Sequence, residues 1–575
     1  MSSMAWASIA FPLATGGVRS AIEAVPLVAW QLLLTTGILV SVIVLYRTAR
    51  PHGQWGQRLR SRLVLGLPWG TLLGLAFVVC VYLFVQGGLG NLRDPVSLPF
   101  QATSYAYPLG VLTAGFAHVS WGHLVGNLWA GLVFGSIAEY AWSHYPAERG
   151  SASFASWSSN PFVRVAIFFT TMLLAGLLTA AFSWGPIIGF SGVTYALAGF
   201  ALVFYPVSTI VAVAGWTRLR HVYTAFASPY SIAEASVSYD SVWWASTAVQ
   251  GHVFGFLLGV FVAALVVRFR GTTTNPARIW LAAMIYGIAN GLWRVYWFLG
   301  DGQYVQFKAV GTTLVFVLAG LIVALVAGSD RSAFASLPQV DRLVDPTPRW
   351  QIAASVLLAV LVTMSIVGAT LNLVAPAGGG LPDDAVEVND YEIAYAENVT
   401  NRQIAVLDLP FLEQVTQVQT SGVIVTSEKR HLWRRAISKR ALEARGSGRV
   451  LVGGVGWRTS VWATRSGWSV VGGNSTYRVF LDPDGDEKRL VHTSTPAVAD
   501  LRLANRTIAI RPAADAFEVA VRRGNQTLGT VAVPGNGGNA TVGGVRFDRT
   551  GRDLYASIDG TRIRVANRQV PPTRQ

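Results

Sequence analysis

Runs of roughly 20 apolar residues, the length that crosses a ~30 Å hydrocarbon core, recur along the first two-thirds of the chain. They lie at 27–46, 63–85, 122–140, 163–182, 191–214, 242–267, 279–299, 304–327 and 350–374. Each predicts a membrane-spanning helix. A weaker stretch at 222–235, diluted by Tyr223, Thr224, Ser228, Pro229 and Glu234, is counted as a tenth. After residue 374 the pattern changes. A Gly- and Pro-rich linker at 375–384 leads into short runs at 449–455, 477–481, 507–510, 518–521 and 562–565, separated by turn-forming residues. These predict a mostly β domain over 385–575. One helix is expected in it near 427–444, carrying Lys429, Arg430, Arg434, Arg435, Lys439, Arg440 and Arg445. Its charges read as a solvated face rather than an anionic-lipid surface.

Arginine placement orients the helices, because short cytoplasmic loops retain basic residues. Arg47, Arg50, Arg58, Arg60 and Arg62 follow the first span, Arg149 and Arg164 flank the loop before the fourth, and Arg218 and Arg220 follow the 191–214 span. Arg268, Arg270 and Arg278 come after the 242–267 span, and Arg331, Arg342 and Arg349 precede the last one. Loop 86–117 carries only Arg93. With ten helices all the basic loops share one side, and both termini are expected outside the cytoplasm. Asn-x-Ser/Thr sequons at Asn398, Asn474, Asn505, Asn525 and Asn539 suit an extracytoplasmic tail open to glycosylation. The first residues lack a basic segment leading an apolar core, so the first run is expected to be a permanent helix rather than a cleaved signal.

Composition agrees. A chain of 575 residues with 52% hydrophobic and 13% charged residues is too apolar for an ordinary soluble protein. It reads as an α-helical polytopic membrane protein followed by a mostly β soluble domain. The net charge of +15 is spread over loops and tail, unlike the clustered basic face of a nucleic-acid binder. Cys80 is the single cysteine, so no intrachain disulfide and no Cys-based metal site is available.

Three polar constellations sit inside apolar runs, where polar groups mark function. Gly189-Phe190-Ser191-Gly192 opens the 191–214 span after Pro186, which puts the Ser191 hydroxyl at the outer end of a helix, among free N–H donors. His252 lies in the next clear span, and Gly255 and Gly259 beside it form a small-residue face matched by Gly192, Ala196 and Gly199. A Ser191–His252 hydrogen bond, the arrangement of an activated nucleophile, is therefore within reach. His123 and Asn127 share one face of a third span, with His118 just before it. Taken alone, a Gly-x-Ser-Gly turn is usually a packing motif and a buried histidine a polar bridge. Three such patterns in order, on separate spans, point to chemistry. A metal site lacks a His-Glu-x-x-His pattern, and the clear spans contain no aspartate pair.

With these residues the chain resembles the rhomboid family of intramembrane serine proteases: His-x4-His-x3-Asn is matched by His118, His123 and Asn127, and the late histidine with its glycines by His252, Gly255 and Gly259. The resemblance implies a six-helix core over 63–270, the weak helix being its fifth, near the substrate gate. Around it would stand an N-terminal segment 1–62 with one extra membrane helix and three additional membrane helices in 271–374. It further implies a Ser191–His252 dyad and an oxyanion hole of the Ser191 N–H with the His123 and Asn127 side chains. His118 and Gly189 would support the site, and Tyr195 would stack on His252. No cofactor is implied, and the partners would be transmembrane protein substrates in the bilayer of the cell membrane. The Trp-Arg pair that many members carry in the first long loop is missing between Gly87 and Ala117. A rival reading is a catalytically silent relative that binds and escorts membrane clients. The tail is expected to recruit substrates or contact a cell-surface layer.

Overall fold

The computed structural model describes residues 24–49, 54–145, 151–229, 248–300, 303–330, 347–375, 381–382, 384–402, 419–483, 488–514 and 516–569. Most of the linker 375–384, the stretches 230–235 and 242–247, and Arg50, Arg149, Arg331 and Arg342 lie outside the described residues. Apolar runs become helices: α1 (Leu27–Ala49), then α2 (Gln54–Arg62), and α3 (Trp69–Cys80), which a π turn continues to Val85. A short α4 (Pro108–Ala114) precedes α5 (Trp121–Trp142), α6 (Pro161–Phe182), α7 (Ser191–Phe204), α8 (Pro206–Ala227) and α9 (Val249–Arg270). α10 (Pro276–Ala289), α11 (Lys308–Ala327) and α12 (Arg349–Val374) complete the helical part. α1, α6, α9, α11 and α12 are long and apolar enough to cross a membrane.

Two expected boundaries shift. The 191–214 span and the weak 222–235 helix are instead α7 and α8, which meet at Tyr205. Pro206 supplies the cause: a proline disfavours helical conformation in the residue before it, and Tyr205 sits at φ −131°, ψ 63°. Arg218 and Arg220 thus belong to α8 rather than to a loop, and no longer count toward loop charge. The 279–299 span ends at Ala289, where Asn290 caps the helix and Gly291 takes φ 72°, and the chain turns into a hairpin of Tyr296–Gly300 with Gln303–Gln306.

α7 forms the centre of the helical part, buried over nearly its whole length from Gly192 to Val203. At the opposite end of the bundle from Ser191, the fully buried Glu139 closes the far end of α5 on the start of α3. Its carboxylate accepts from the backbone N–H of Gly70 (2.7 Å) and Thr71 (2.8 Å) and from His144 Nε2 (2.7 Å). His144 Nδ1 in turn accepts from Val64 N at 2.9 Å, which fixes the ring as the Nε2–H tautomer. Glu139 is thus an internal tie between α5 and α3.

The described strands of the tail all pair antiparallel, and its two larger hydrophobic cores share one sheet. Val386–Val388, Tyr391–Thr400, Gln419–Ser427 and Leu432–Ser438 make a four-stranded sheet in chain order, and Ala497–Leu503 to Gln526–Ala532 make another. Between them runs an eight-stranded sheet, whose 14-residue strand Trp457–Val470 places Val461 and Ala463 in the first core and Trp468 and Val470 in the second. All five sequon asparagines are exposed. The helix expected at 427–444 is confined to α13 (Lys439–Arg445), because residues 432–438 pair as a strand with 422–427. Of the seven basic residues expected on it, Lys429, Arg440 and Arg445 are exposed, while the others turn to partners. Arg434 donates to Gln101 (2.7 Å), Arg435 to Thr420 (2.7 Å) and Lys439 to Glu397 (2.8 Å).

This β domain docks on loop 86–107 of the helical part. Leu98 is buried in the first β core beside Tyr391, Val452 and Val461, and Val96 packs where a side chain on Gly453 would stand. Arg449 and Arg458 pair with Asp94, and Arg430 bridges Asp390 (2.5 and 3.0 Å) to the Tyr107 hydroxyl (2.9 Å). The Asp94 pairs are partly exposed and weak, so apolar burial of Leu98 carries most of the docking. Leu98→Ala is expected to loosen it by about 2–3 kcal/mol, read as faster hydrogen exchange in residues 94–107 and 449–458.

Burial opposes ionisation of Asp390, but the hydrogen bonds and charge of Arg430 outweigh it and hold the carboxyl below its ordinary value. The stabilisation from a depressed carboxyl is complete above its unfolded value of about 4 and is lost as pH falls through the folded value. The fold of the β domain around the Asp390–Arg430 pair should therefore weaken below about pH 4, and Asp390→Asn should flatten that acid dependence in limited proteolysis.

Candidate active site

Loop 183–190 delivers Ser191 to the first position of α7. Gly189 takes φ +129°, a conformation that favours glycine, and a Cβ there would lie 2.6 Å from His123 Cε1 and 3.5 Å from Asn127 Nδ2. Ile187 pairs with Ala102 across an antiparallel bridge, and Gly189 N donates to Ala114 O at 2.8 Å, so the loop is stitched to the segment before α5. The first backbone bond of α7 is Thr194 N to Phe190 O (3.1 Å), which leaves the earlier N–H groups of the helix without intrahelical acceptors.

α9 approaches α7 almost backbone to backbone. A Cβ on Gly255 would meet Gly192 O at 2.3 Å, one on Gly259 would meet Ala196 O at 1.9 Å, and one on Gly199 would meet Phe256 O at 2.2 Å. That proximity carries His252 to Ser191: Nε2 and Oγ are 2.9 Å apart, and both residues are half-buried rather than sealed. The imidazole lies flat on Tyr195, with ring centroids 4.2 Å apart and planes at 10°. Tyr195 is itself anchored by its hydroxyl, which donates to Asn290 O at 3.1 Å.

His118, His123 and Asn127 gather on the other side of the loop. Asn127 Nδ2 is 3.0 Å from His118 Nε2, and Phe190 N donates to the same nitrogen at 3.4 Å. Two donors aimed at Nε2 make it the unprotonated nitrogen of a neutral ring. His118 thereby links Asn127 to the residue before Ser191. The His118 and His123 rings meet edge to face at 5.0 Å, and Ser120 caps α5 by accepting from His123 N at 3.2 Å. Asn127 keeps a second N–H beyond its contact with His118, the group it could offer to a ligand. Gln86, absent from the sequence reading, holds His118 from behind: its amide accepts from His118 N and donates to His118 O, both at 2.8 Å. Its signal in the sequence was a lone amide at the end of an apolar run. Among the described residues no group of three or more His, Cys, Asp or Glu side chains is arranged to hold a metal ion.

Every candidate residue of the sequence reading converges on one locus: Ser191, His252 and Tyr195 on one side of loop 183–190, His118, His123 and Asn127 on the other, with Gly189, Gly192, Gly255 and Gly259 at the close approaches. Residues 106–269 match the Rhomboid domain family model. Residues 106–269 are thus similar to the rhomboid domain, a mostly β domain follows them, and the matched family is generally one of intramembrane serine proteases. No curated protein and no solved structure matches the chain.

The glycine contacts are with carbonyl oxygens of the facing backbone, so a methyl group can be fitted only by separating the helices. Gly259→Ala is expected to cost about 1–3 kcal/mol, measured as a lowered thermal midpoint in detergent, and to reduce modification of Ser191 by serine-reactive probes.

Proposed function

We propose that the protein is an intramembrane serine endopeptidase that cleaves membrane-anchored protein substrates near the outer face of the cell membrane. The observation that carries this reading is the 2.9 Å contact of Ser191 Oγ with His252 Nε2 in a half-buried site. Ser191 attacks the scissile carbonyl while His252 takes its proton, and His252 then returns that proton to the leaving amine. A water molecule, deprotonated by His252, releases the acyl group from Ser191. The developing oxyanion is met by the Ser191 N–H and by His123 and Asn127. Tyr195 holds the imidazole flat, and His118 holds Asn127 and the Ser191 loop. No step calls for a metal or organic cofactor. The β domain lies on the same side as the Ser191 end of the bundle in this reading, supported by its docking on loop 86–107 and its exposed sequons. There it would recruit substrate ectodomains or contact a surface layer.

The test is fluorophosphonate labelling of the purified protein, together with cleavage of a transmembrane substrate in proteoliposomes. Wild type should label and cleave, Ser191→Ala should do neither, and His252→Ala should lose at least about 10³-fold in rate. Equal rates for wild type and Ser191→Ala would sink the dyad. A stable client complex without product from the wild type would support the escort reading instead.

A further inference from the structure

The loop that carries Ser191 begins where α6 ends, and a helix C-terminus leaves carbonyls without intrahelical donors. Inside a membrane the protein must supply those donors. Ala181 O receives the Tyr105 hydroxyl at 2.7 Å and Asn372 Nδ2 at 3.1 Å, and Ser183 O receives Asn372 Nδ2 at 3.1 Å. Phe182 O receives Gln250 Nε2 at 3.1 Å, while Gln250 Oε1 accepts from Trp184 N at 2.9 Å. Asn372 is only 2% exposed, and its carbonyl accepts from Tyr105 N at 3.0 Å. A carboxamide nitrogen has two hydrogens, and Asn372 directs them at two different carbonyls of the turn that leads to Ser191. One helical turn earlier, Gly368 brings the backbone of α12 against α6, where a Cβ would stand 2.1 Å from Phe182 O.

His252 is supported in a parallel way from the other side. Its stacking partner Tyr195 donates to Asn290 O at the end of α10, and Tyr286 of α10 meets the Tyr195 ring edge to face at 5.7 Å. Tyr286 also stacks on Phe256 of α9, with centroids 4.9 Å apart. Both α10 and α12 lie beyond the matched residues 106–269.

We infer that α10 and α12 are working parts of the active site: Asn372 fixes the loop that presents Ser191, and Tyr286 with the Asn290 carbonyl fixes the ring on which His252 rests. These are positioning residues, and the inference rests on the proposed Ser191–His252 dyad. Loop 183–190 contains Gly185 at φ +81° and Gly189 at φ +129°, so its own backbone does little to hold its shape. Contacts from outside must do so.

The experiment uses the full chain in proteoliposomes, comparing wild type with Asn372→Leu, which keeps the γ-branched shape and removes both donors, and with Tyr286→Leu. Thermal midpoint, fluorophosphonate labelling rate, and kcat and KM on a transmembrane substrate are measured together. Displacing a nucleophile by about 1 Å can cost on the order of 100-fold, so each variant should lose at least about 10-fold in both kcat and labelling rate, with KM within about threefold. Folded variants that label at the wild-type rate, or that change KM alone, overturn the inference. Should Asn372→Leu not fold, Tyr105→Phe removes the hydroxyl that donates to Ala181 O beside Asn372, and no other atom. It should slow labelling about threefold, and a wild-type rate there counts against the inference. Activity in Ser191→Ala would remove the dyad reading and this inference with it, a pattern separate from normal labelling in the positioning variants.

Discussion

The close approach of α7 and α9 is the constraint on which the rest of the site depends. Gly192, Ala196 and Gly199 on one helix, and Gly255 and Gly259 on the other, leave room for backbone against backbone. In a lipid environment apolar burial does little to drive helices together, and packing through small residues takes its place. The distance between these two axes sets the distance between Ser191 and His252, since each side chain leaves its helix in or near the first turn. A looser pair of helices would hold the same residues and lose the hydrogen bond.

The same arrangement sets the electrostatics. His123, Ser191 and His252 stand at the third, first and fourth residues of α5, α7 and α9, so three helix N-termini face one small volume. Each brings partial positive charge and free N–H groups. A developing anion placed between them is favoured without any metal ion or cationic side chain, provided water access is restricted enough for the dipoles to act. At the opposite end of the bundle the fully buried Glu139 side chain answers the N-terminus of α3, accepting from two of its backbone N–H groups and from His144. The bundle thus has one end closed by a buried tie and another that gathers the candidate site residues.

Most of this was legible in the residues, for a physical reason. Membrane spans require long apolar runs, so Ser191, His252, His123 and Asn127 stand out against them. The strands of the tail likewise declared themselves through alternation and turns. What escaped detection depended on partners far away in the chain. Pro206 was visible, but a single-residue hinge does not break a hydropathy window, so α7 and the start of α8 read as one span. A helix was expected over residues 427–444, yet Arg434 is held by Gln101 and Arg430 by Asp390 and Tyr107, and residues 432–438 pair as a strand, leaving the helix only at Lys439–Arg445. Asn372 and Gln250 are lone amides in apolar helices, and their partners are backbone carbonyls, which have no sequence signature.

The burial of Leu98 within the β domain has a consequence for biosynthesis. Loop 86–107 leaves the ribosome long before the strands that enclose it, and Asp94 waits for a partner 364 residues downstream. At roughly 5–20 residues per second that gap lasts on the order of tens of seconds, during which the membrane helices can insert and pack while the loop remains uncovered. Only when the strands of the first β core, which reach Val491, are made can the loop take its final place. The newborn helical part therefore matures in two stages, and the second covers loop 86–107 only after the strands of the first β core have been made.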